Sequence, residues 1–219
     1  VNPAALDREK VGVFIGMEES GYQVHQQLAD SHEAFDAKGL SMTSSGSAMI
    51  SSRLSYFLNF KGPAVAINTA CSSSLVAFHQ ACISLQIKES SLALAGGAAL
   101  LVSSQNYINM SQAGMLSSDG KCKTFSGNAN GIACGEAVVV VVLKRLADAL
   151  SDKDPIYGVV KGSGINFDGK TNGVTAPNGE AQASLISDVY QANGIDVESI
   201  GYIVTHGTGT KLGDPIEVS

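Results

Sequence analysis

Charge is scarce in this chain of 219 residues: Asp, Glu, Lys and Arg make up 16% of it, and 20 acids against 14 bases give a formal charge of −6. So little charge beside 44% hydrophobic residues excludes a disordered chain and provides apolar surface for a sizeable core. The bases are scattered, their densest cluster being the pair Lys144-Arg145, so no phosphate-tracking nucleic-acid surface is implied. Long apolar runs are missing too. The longest, Leu92 to Val102, has eleven residues and contains Gly96-Gly97, well short of the roughly 20 needed to cross a bilayer. No starting methionine or signal-peptide pattern precedes Val1-Asn2-Pro3, and no cap or stop signal follows Asp214-Pro215-Ile216-Glu217. Both ends are expected to be cut from something longer.

Metal and disulfide spacings are also lacking. The four cysteines, at 71, 82, 122 and 134, form no CxxC pair, and the four histidines, at 25, 32, 79 and 206, form no HExxH. Reduced cytosolic thiols and no metal site are expected. Cys82 falls at helical spacing with Leu75, Phe78 and Leu85, which reads as a core stripe, with His79 a satisfied core or surface residue. His25 and His32 lie in the polar stretch Gln23 to Glu33, which reads as a solvated helix.

What is present is an alternation of short apolar strands and helical patterns. Val11 to Gly16 and Ala64 to Ile67 read as buried strands, the second introduced by Gly62-Pro63. A helix is predicted from Ser72 to Lys88, with Ser72 to Ser74 as caps for its free N–H groups. Leu92 to Ala95 and Ala137 to Leu143 read as further strands, and the five valines at 138–142 predict a central strand buried on both faces. Ile156 to Ile165 and Ile200 to Val204 are predicted strands around a helix at Glu180 to Ala192 that Gly194 stops. The alternation points to an α/β class. No linker, low-complexity tract or short-period repeat interrupts it.

Gly164-Ile165-Asn166-Phe167-Asp168-Gly169-Lys170-Thr171 satisfies the phosphate-loop pattern GxxxxGK[ST] letter for letter. A phosphate loop, however, needs a helix to start at the lysine so that N–H groups and the helix dipole meet the anion. Here Asn172 to Gly179 carries glycines and a proline that break helix, and no later apolar strand ends in a magnesium-holding aspartate. The dinucleotide pattern also fails, because its third glycine after Gly207 and Gly209 would be Leu212. Nucleotide binding stays as the alternative class.

Two segments carry better chemistry. Cys71 follows the strand Ala64 to Ile67 and precedes a helix, where partial positive charge and unpaired N–H donors favour a thiolate and can stabilise an oxyanion. A buried structural cysteine is the commoner fate. Cys71 instead lies ahead of the apolar stripe, among Thr69 and Ser72 to Ser74, which leave room for a substrate. His206 ends its own apolar segment and is followed by glycines that let a ligand approach the backbone. Cysteine plus histidine points to acyl transfer and no further.

Asn68-Thr69-Ala70-Cys71-Ser72-Ser73-Ser74-Leu75 and His206-Gly207-Thr208-Gly209-Thr210-Lys211-Leu212-Gly213-Asp214-Pro215-Ile216-Glu217 resemble the two signature segments of β-ketoacyl synthases, in the form found in modular type I polyketide synthases. Gly96-Gly97, Met115 to Phe125, Asn130-Gly131 to Glu136, and Asp168 to Gly179 resemble that family too, so the likeness covers essentially the whole chain. The family has a non-nucleotide loop where the phosphate-loop pattern falls.

The resemblance implies a thiolase-like layered αβαβα fold of two similar halves, here incomplete: about 1–150 from the N-terminal half and about 151–219 from the start of the C-terminal half. It implies decarboxylative Claisen condensation. Cys71 would take the growing acyl chain from an acyl carrier protein as a thioester, and its own N–H would serve the oxyanion hole. His206 would stabilise the enolate formed from a malonyl thioester. Thr208 and Thr210 match positions that hydrogen-bond the phosphopantetheine arm, and Glu217 a carboxylate that supports the active-site network. No cofactor would be bound directly. The implied partners are acyl carrier protein, neighbouring domains of a multidomain synthase and a second copy in a homodimer, in the cytoplasm, without nucleic acid or membrane.

Val204 stands where the family commonly has glutamate, Ser126 where aspartate follows the Thr-Phe pair, and Ala137 where glycine follows Glu136. None removes a group that would touch substrate. Lys211 and Cys122-Lys123-Thr124-Phe125 resemble bacterial assembly lines with separate acyltransferases more than fungal or animal enzymes. A complete ketosynthase is roughly twice this length, and the family's second catalytic histidine, lysine and glycine-rich gating loop are expected beyond Ser219. The isolated chain is therefore expected to be inactive. A parent that only transfers chains without extending them is the alternative within the family, and a non-catalytic scaffold of the same fold is a third reading.

Overall fold

The computed structural model describes residues 3–18, 21–22 and 46–219. His25, His32 and the polar stretch around them lie outside the described residues. The rest gathers into two compact units, Val1–Ser104 with Gly135–Val159, and Gln105–Cys134 with Val160–Ser219.

The first unit is built on a four-stranded sheet of order β2-β1-β3-β4, formed by β1 (Val11–Met17), β2 (Ala64–Ile67), β3 (Leu92–Ala99) and β4 (Ala137–Lys144). β1 pairs in parallel with both neighbours, Val13 opposite Ala64 and Leu94, while β4 runs antiparallel along β3 with Gly96 opposite Val140. Alternating side chains of β1 serve two cores. Val11, Val13 and Ile15 pack with Leu92 and Phe60, and Ile50 of α1 (Met49–Phe57) joins them. Phe14 turns to the other face, against Ala77, Ala81 and Leu85 of α2 (Ser73–Gln86).

Two expectations change here. The strand buried on both faces is β1, whereas the valines of β4 are 41–65% exposed at the sheet edge. A valine run fixes extended backbone and an apolar surface but does not say which atoms cover that surface. Of the expected stripe on α2, Leu85 is buried, Phe78 and Cys82 are half-buried and Leu75 is 72% exposed, while Ser73, Ala77, Ala81 and Ser84 complete the buried face. Small residues let this helix lie directly on the sheet. A Cβ at Gly16 would come within 2.3 Å of the Ser73 carbonyl carbon, and one at Gly97 within 2.7 Å of Ser74 Cβ. At the other end of α2, Arg145 Nη1 donates to the carbonyls of Leu85 and Ser90 at 3.0 and 2.9 Å, which ties the last turn of the helix to the segment ahead of β3.

The second unit holds α3 (Ser104–Gln112) for all but its first residue, α5 (Gly179–Asn193) and α6 (Gly213–Val218); α4 (Leu146–Ser151) belongs to the first. Asn178 caps α5, accepting from the N–H groups of Glu180 and Ala181, and Gly194 closes it in the left-handed conformation at φ 58°. The segments 156–165 and 200–204 are not strands: among the described residues neither has a ladder partner. Their apolar residues are largely exposed, Tyr157 and Val204 among them. No helix of the described residues is long and apolar enough to cross a membrane.

Candidate active site

The chain leaves β2 at Ile67 and enters α2 at Ser73 through a turn braced at every step. Ala70 N–H donates to Asn68 Oδ1 at 3.1 Å, and Thr69 N–H to Ser73 Oγ at 2.8 Å. Ser73 Oγ donates in turn to the Ala70 carbonyl at 2.6 Å, and Ser72 Oγ to the Thr69 carbonyl at 2.9 Å. Ala70 is held at φ 55°, a left-handed conformation that costs a non-glycine residue on the order of 1 kcal/mol or more and persists only where its surroundings over-determine it. The result lifts Cys71 to the surface, where its thiol is exposed. A cavity of about 420 Å³ opens beside it, lined by Met17, Ser74, Leu75, Phe78 and Ala98 among others. The sequence names Ala70, Gly16 and Gly97 only within longer segments and gives none of them a part in seating Cys71. The signal for the seat was a glycine near the end of each of two neighbouring strands.

His206, Thr208, Thr210 and Glu217 come together in the second unit, on the loop 205–212 and on α6. Glu217 grips the loop by its backbone: His206 N–H donates to Oε1, and Gly207 N–H to Oε2 at 2.8 Å. The Thr208 and Thr210 hydroxyls lie 3.1 Å apart, and Thr210 Oγ1 also accepts from Gly213 N–H at 3.1 Å. Gly207 and Gly209 have φ values of 54° and 72°. The loop rests on residues 122–131: Thr124 Oγ1 donates to the Gly207 carbonyl at 2.5 Å, and Gly131 N–H to the Gly209 carbonyl at 3.1 Å.

That supporting segment has its own brace. Ser117 Oγ and Lys123 Nζ both donate to Asp119 Oδ1, at 2.7 and 2.8 Å, and both reach Asn130 Oδ1. The bond from Lys123, followed by that from Ser117, holds the Asp119 carboxyl well below the usual carboxylate range. Lys170, the lysine of the phosphate-loop pattern, lies nine residues ahead of the helix that begins at Gly179. No helix N-terminus meets it there. Among the described residues no group of three or more His, Cys, Asp or Glu side chains is placed to hold a metal ion.

Residues 1–149 match the family model described as the β-ketoacyl synthase N-terminal domain, and residues 157–219 that of its C-terminal domain. The chain is 46% identical over 219 residues to polyketide synthase ThaG of Burkholderia thailandensis and 48% identical over 217 residues to polyketide synthase PksL of Bacillus subtilis. It covers 4% and 5% of those proteins. Among solved structures it superposes on the ketosynthase from module 6 of the bacillaene synthase of Bacillus subtilis 168 with a TM-score of 0.88 and 47% identity, covering 99% of this chain and 36% of that one. An oxazolomycin ketosynthase domain from Streptomyces albus JA3453 gives a TM-score of 0.91 at 35% identity, with 37% of that chain covered. The fold is thus thiolase-like, and the chain spans about a third of the solved ketosynthases it matches. With both family models matched end to end along it, this chain belongs to the β-ketoacyl synthase family.

Proposed function

We propose that this chain is the cysteine-bearing part of a ketosynthase domain that extends a polyketide by decarboxylative Claisen condensation. The Cys71 thiolate attacks the carbonyl of an acyl thioester delivered on acyl carrier protein, and the pantetheine thiolate leaves. The Cys71 N–H contributes to the oxyanion hole of that step. Loss of carbon dioxide from a malonyl thioester then leaves an enolate, whose oxygen His206 stabilises by hydrogen bonding. The enolate carbon attacks the Cys71 thioester, the carbon–carbon bond forms, and the cysteine thiolate departs. Thr208 and Thr210 hydrogen-bond the phosphopantetheine arm, while Glu217 holds the His206 loop.

The substrates arrive on carrier protein, and no further cofactor is needed. Residues of about 1–150 belong to the N-terminal half of the domain and about 151–219 to the start of the C-terminal half. The domain works in the cytoplasm as a homodimer among the other domains of its synthase, and the 219-residue chain alone is inactive as an acyltransferase.

The observation that carries this reading is the exposed Cys71 thiol on a braced left-handed turn at the head of α2. Incubation with cerulenin or a chloroacetyl-carrier probe, followed by peptide mass mapping, is expected to find the adduct on Cys71. Modification of Cys82, Cys122 or Cys134 with Cys71 spared overturns the assignment.

A further inference from the structure

Resting on the ketosynthase reading above, we infer that Ser73 is a positioning residue whose hydroxyl aims the Cys71 N–H at the oxyanion, serving acyl transfer without serving the reactivity of the thiol. From sequence, Ser72 to Ser74 read as caps for α2. The Ser72 side chain, however, caps no N–H group of the helix, and Ser73 reaches back into the turn it follows. A hydroxyl has one proton to donate and lone pairs to accept with, and both capacities are used on residues ahead of Cys71. Ser73 Oγ accepts from Thr69 N–H at 2.8 Å and donates to the Ala70 carbonyl at 2.6 Å. Ser73 N–H donates to the same carbonyl at 3.0 Å. The residue is 5% exposed, which leaves water little access to these bonds.

The consequence falls on the next peptide unit. A trans peptide is planar, with its C=O and N–H on opposite sides, and none of the described peptide bonds is cis. Two donors of Ser73 draw the Ala70 carbonyl toward the head of α2. The N–H of that unit, which belongs to Cys71, therefore faces away from the helix. Ser73 also holds groups on both sides of Ala70, whose φ of 55° persists only where its surroundings enforce it. Ser73 is itself fixed to the sheet, since a Cβ at Gly16 would stand 2.3 Å from its carbonyl carbon and 2.4 Å from its carbonyl oxygen. A relay thus runs from β1 through Ser73 to the Cys71 N–H. When the thiolate adds to a thioester carbonyl, the new C–S bond pushes an electron pair onto oxygen, where a fixed N–H meets the charge; the pair then returns and the pantetheine thiolate leaves. Displacement of iodide from an alkyl carbon develops no such oxygen and asks only for the thiolate.

Two rates measured on the full-length protein separate these roles: acylation of Cys71 from an acyl-pantetheine thioester, the half-reaction that precedes condensation, and alkylation of Cys71 by iodoacetamide across pH. Ser73→Ala is expected to slow acylation roughly tenfold to a hundredfold, less than the loss of a whole oxyanion donor. Alkylation should stay within about twofold with its pH midpoint unmoved, because the thiolate itself is untouched. Asn68→Ala, which removes the acceptor of the Ala70 N–H, is expected to give the same split to a smaller degree. Unchanged acylation in Ser73→Ala, an equal fall in acylation and alkylation, or a failure of Ser73→Ala to fold beside an Asn68→Ala that shows no split would each overturn the inference. A wild-type protein that is alkylated at Cys71 but takes no acyl group from the thioester instead sinks the ketosynthase reading itself.

Discussion

The Cys71 turn and the His206 loop both follow a short apolar segment and are both made of small residues, yet they are anchored differently. Around Cys71 the turn's own hydrogen bonds are backed by packing of the elements on either side. β2 is zipped to β1, α2 lies flush on glycines of β1 and β3, and the turn between them has little freedom left. Around His206 no strand precedes the loop among the described residues, and the loop hangs on hydrogen bonds: two carboxylates of α6 on one side, Thr124 and Gly131 on the other. Dispersion and steric fit are short-ranged and unforgiving. Hydrogen bonds to backbone are directional and can be weakened one at a time. In the proposed reaction, a nucleophile at Cys71 that keeps one trajectory and a histidine at 206 that meets a changing substrate would be served by different anchoring.

The largest expected effect comes from breaking the packed side. In Gly16→Val the new Cβ meets Ser73 and Ser74 backbone atoms at 2.3–2.4 Å, and backbone cannot rotate away as a side chain would. A loss of about 3 kcal/mol or more is expected, at the upper end of overpacking costs. Thermal unfolding of the full-length protein should register it, together with loss of selective alkylation at Cys71. A stable variant with Cys71 labelled at the wild-type rate would show that the glycine seat does not position Cys71.

This contrast also marks where the sequence was legible. The strands read at 11–16, 64–67 and 92–95, the helices after Cys71 and after Asn178, and the small-residue turn and loop at Cys71 and His206 were legible from apolar runs and turn residues, because those signals are local. The face of α2 was only partly legible, since hydrophobic periodicity gives weight to the exposed Leu75, while the close approach to Gly16 and Gly97 is made by Ser73 and Ser74 and the packing on the sheet by Ala77 and Ala81. The valines of β4 and the segments 156–165 and 200–204 have strand-forming side chains, but a ladder depends on a partner strand that side-chain pattern does not specify. Asp214 escaped for another reason. A carboxylate one turn before Glu217 looks like helix-start chemistry, and only the folded loop reveals that its oxygens face Gly209 and Phe125.

A smaller effect is expected on the hydrogen-bonded side. Glu217→Gln leaves one acceptor oxygen for two converging N–H groups, His206 and Gly207. Misplacement of the imidazole should cost condensation roughly tenfold to a hundredfold, with Cys71 acylation and the unfolding temperature little changed, because no core residue is touched. Equal loss in both half-reactions would erase the proposed division of labour between the two regions.

The smallest effect concerns the brace beneath the loop and depends on pH. Lys123 and Ser117 lower the affinity of Asp119 for its proton in the folded protein, so the folded state gains from the ionised carboxylate. Because the folded-state value is depressed, that gain is complete above the unfolded carboxylate range of about 3.9 and fades as pH falls through the lower, folded value. The Lys123–Asp119 pair is an i,i+4 contact with the carboxylate side chain 47% exposed, so solvent screening keeps its contribution small. Melting curves of the full-length protein and of Asp119→Asn should therefore differ slightly at neutral pH and converge in strong acid. A difference that grows on acidification would mean that the aspartate is strained rather than stabilised by its neighbours, and that the segment bearing Thr124 is held by its backbone alone.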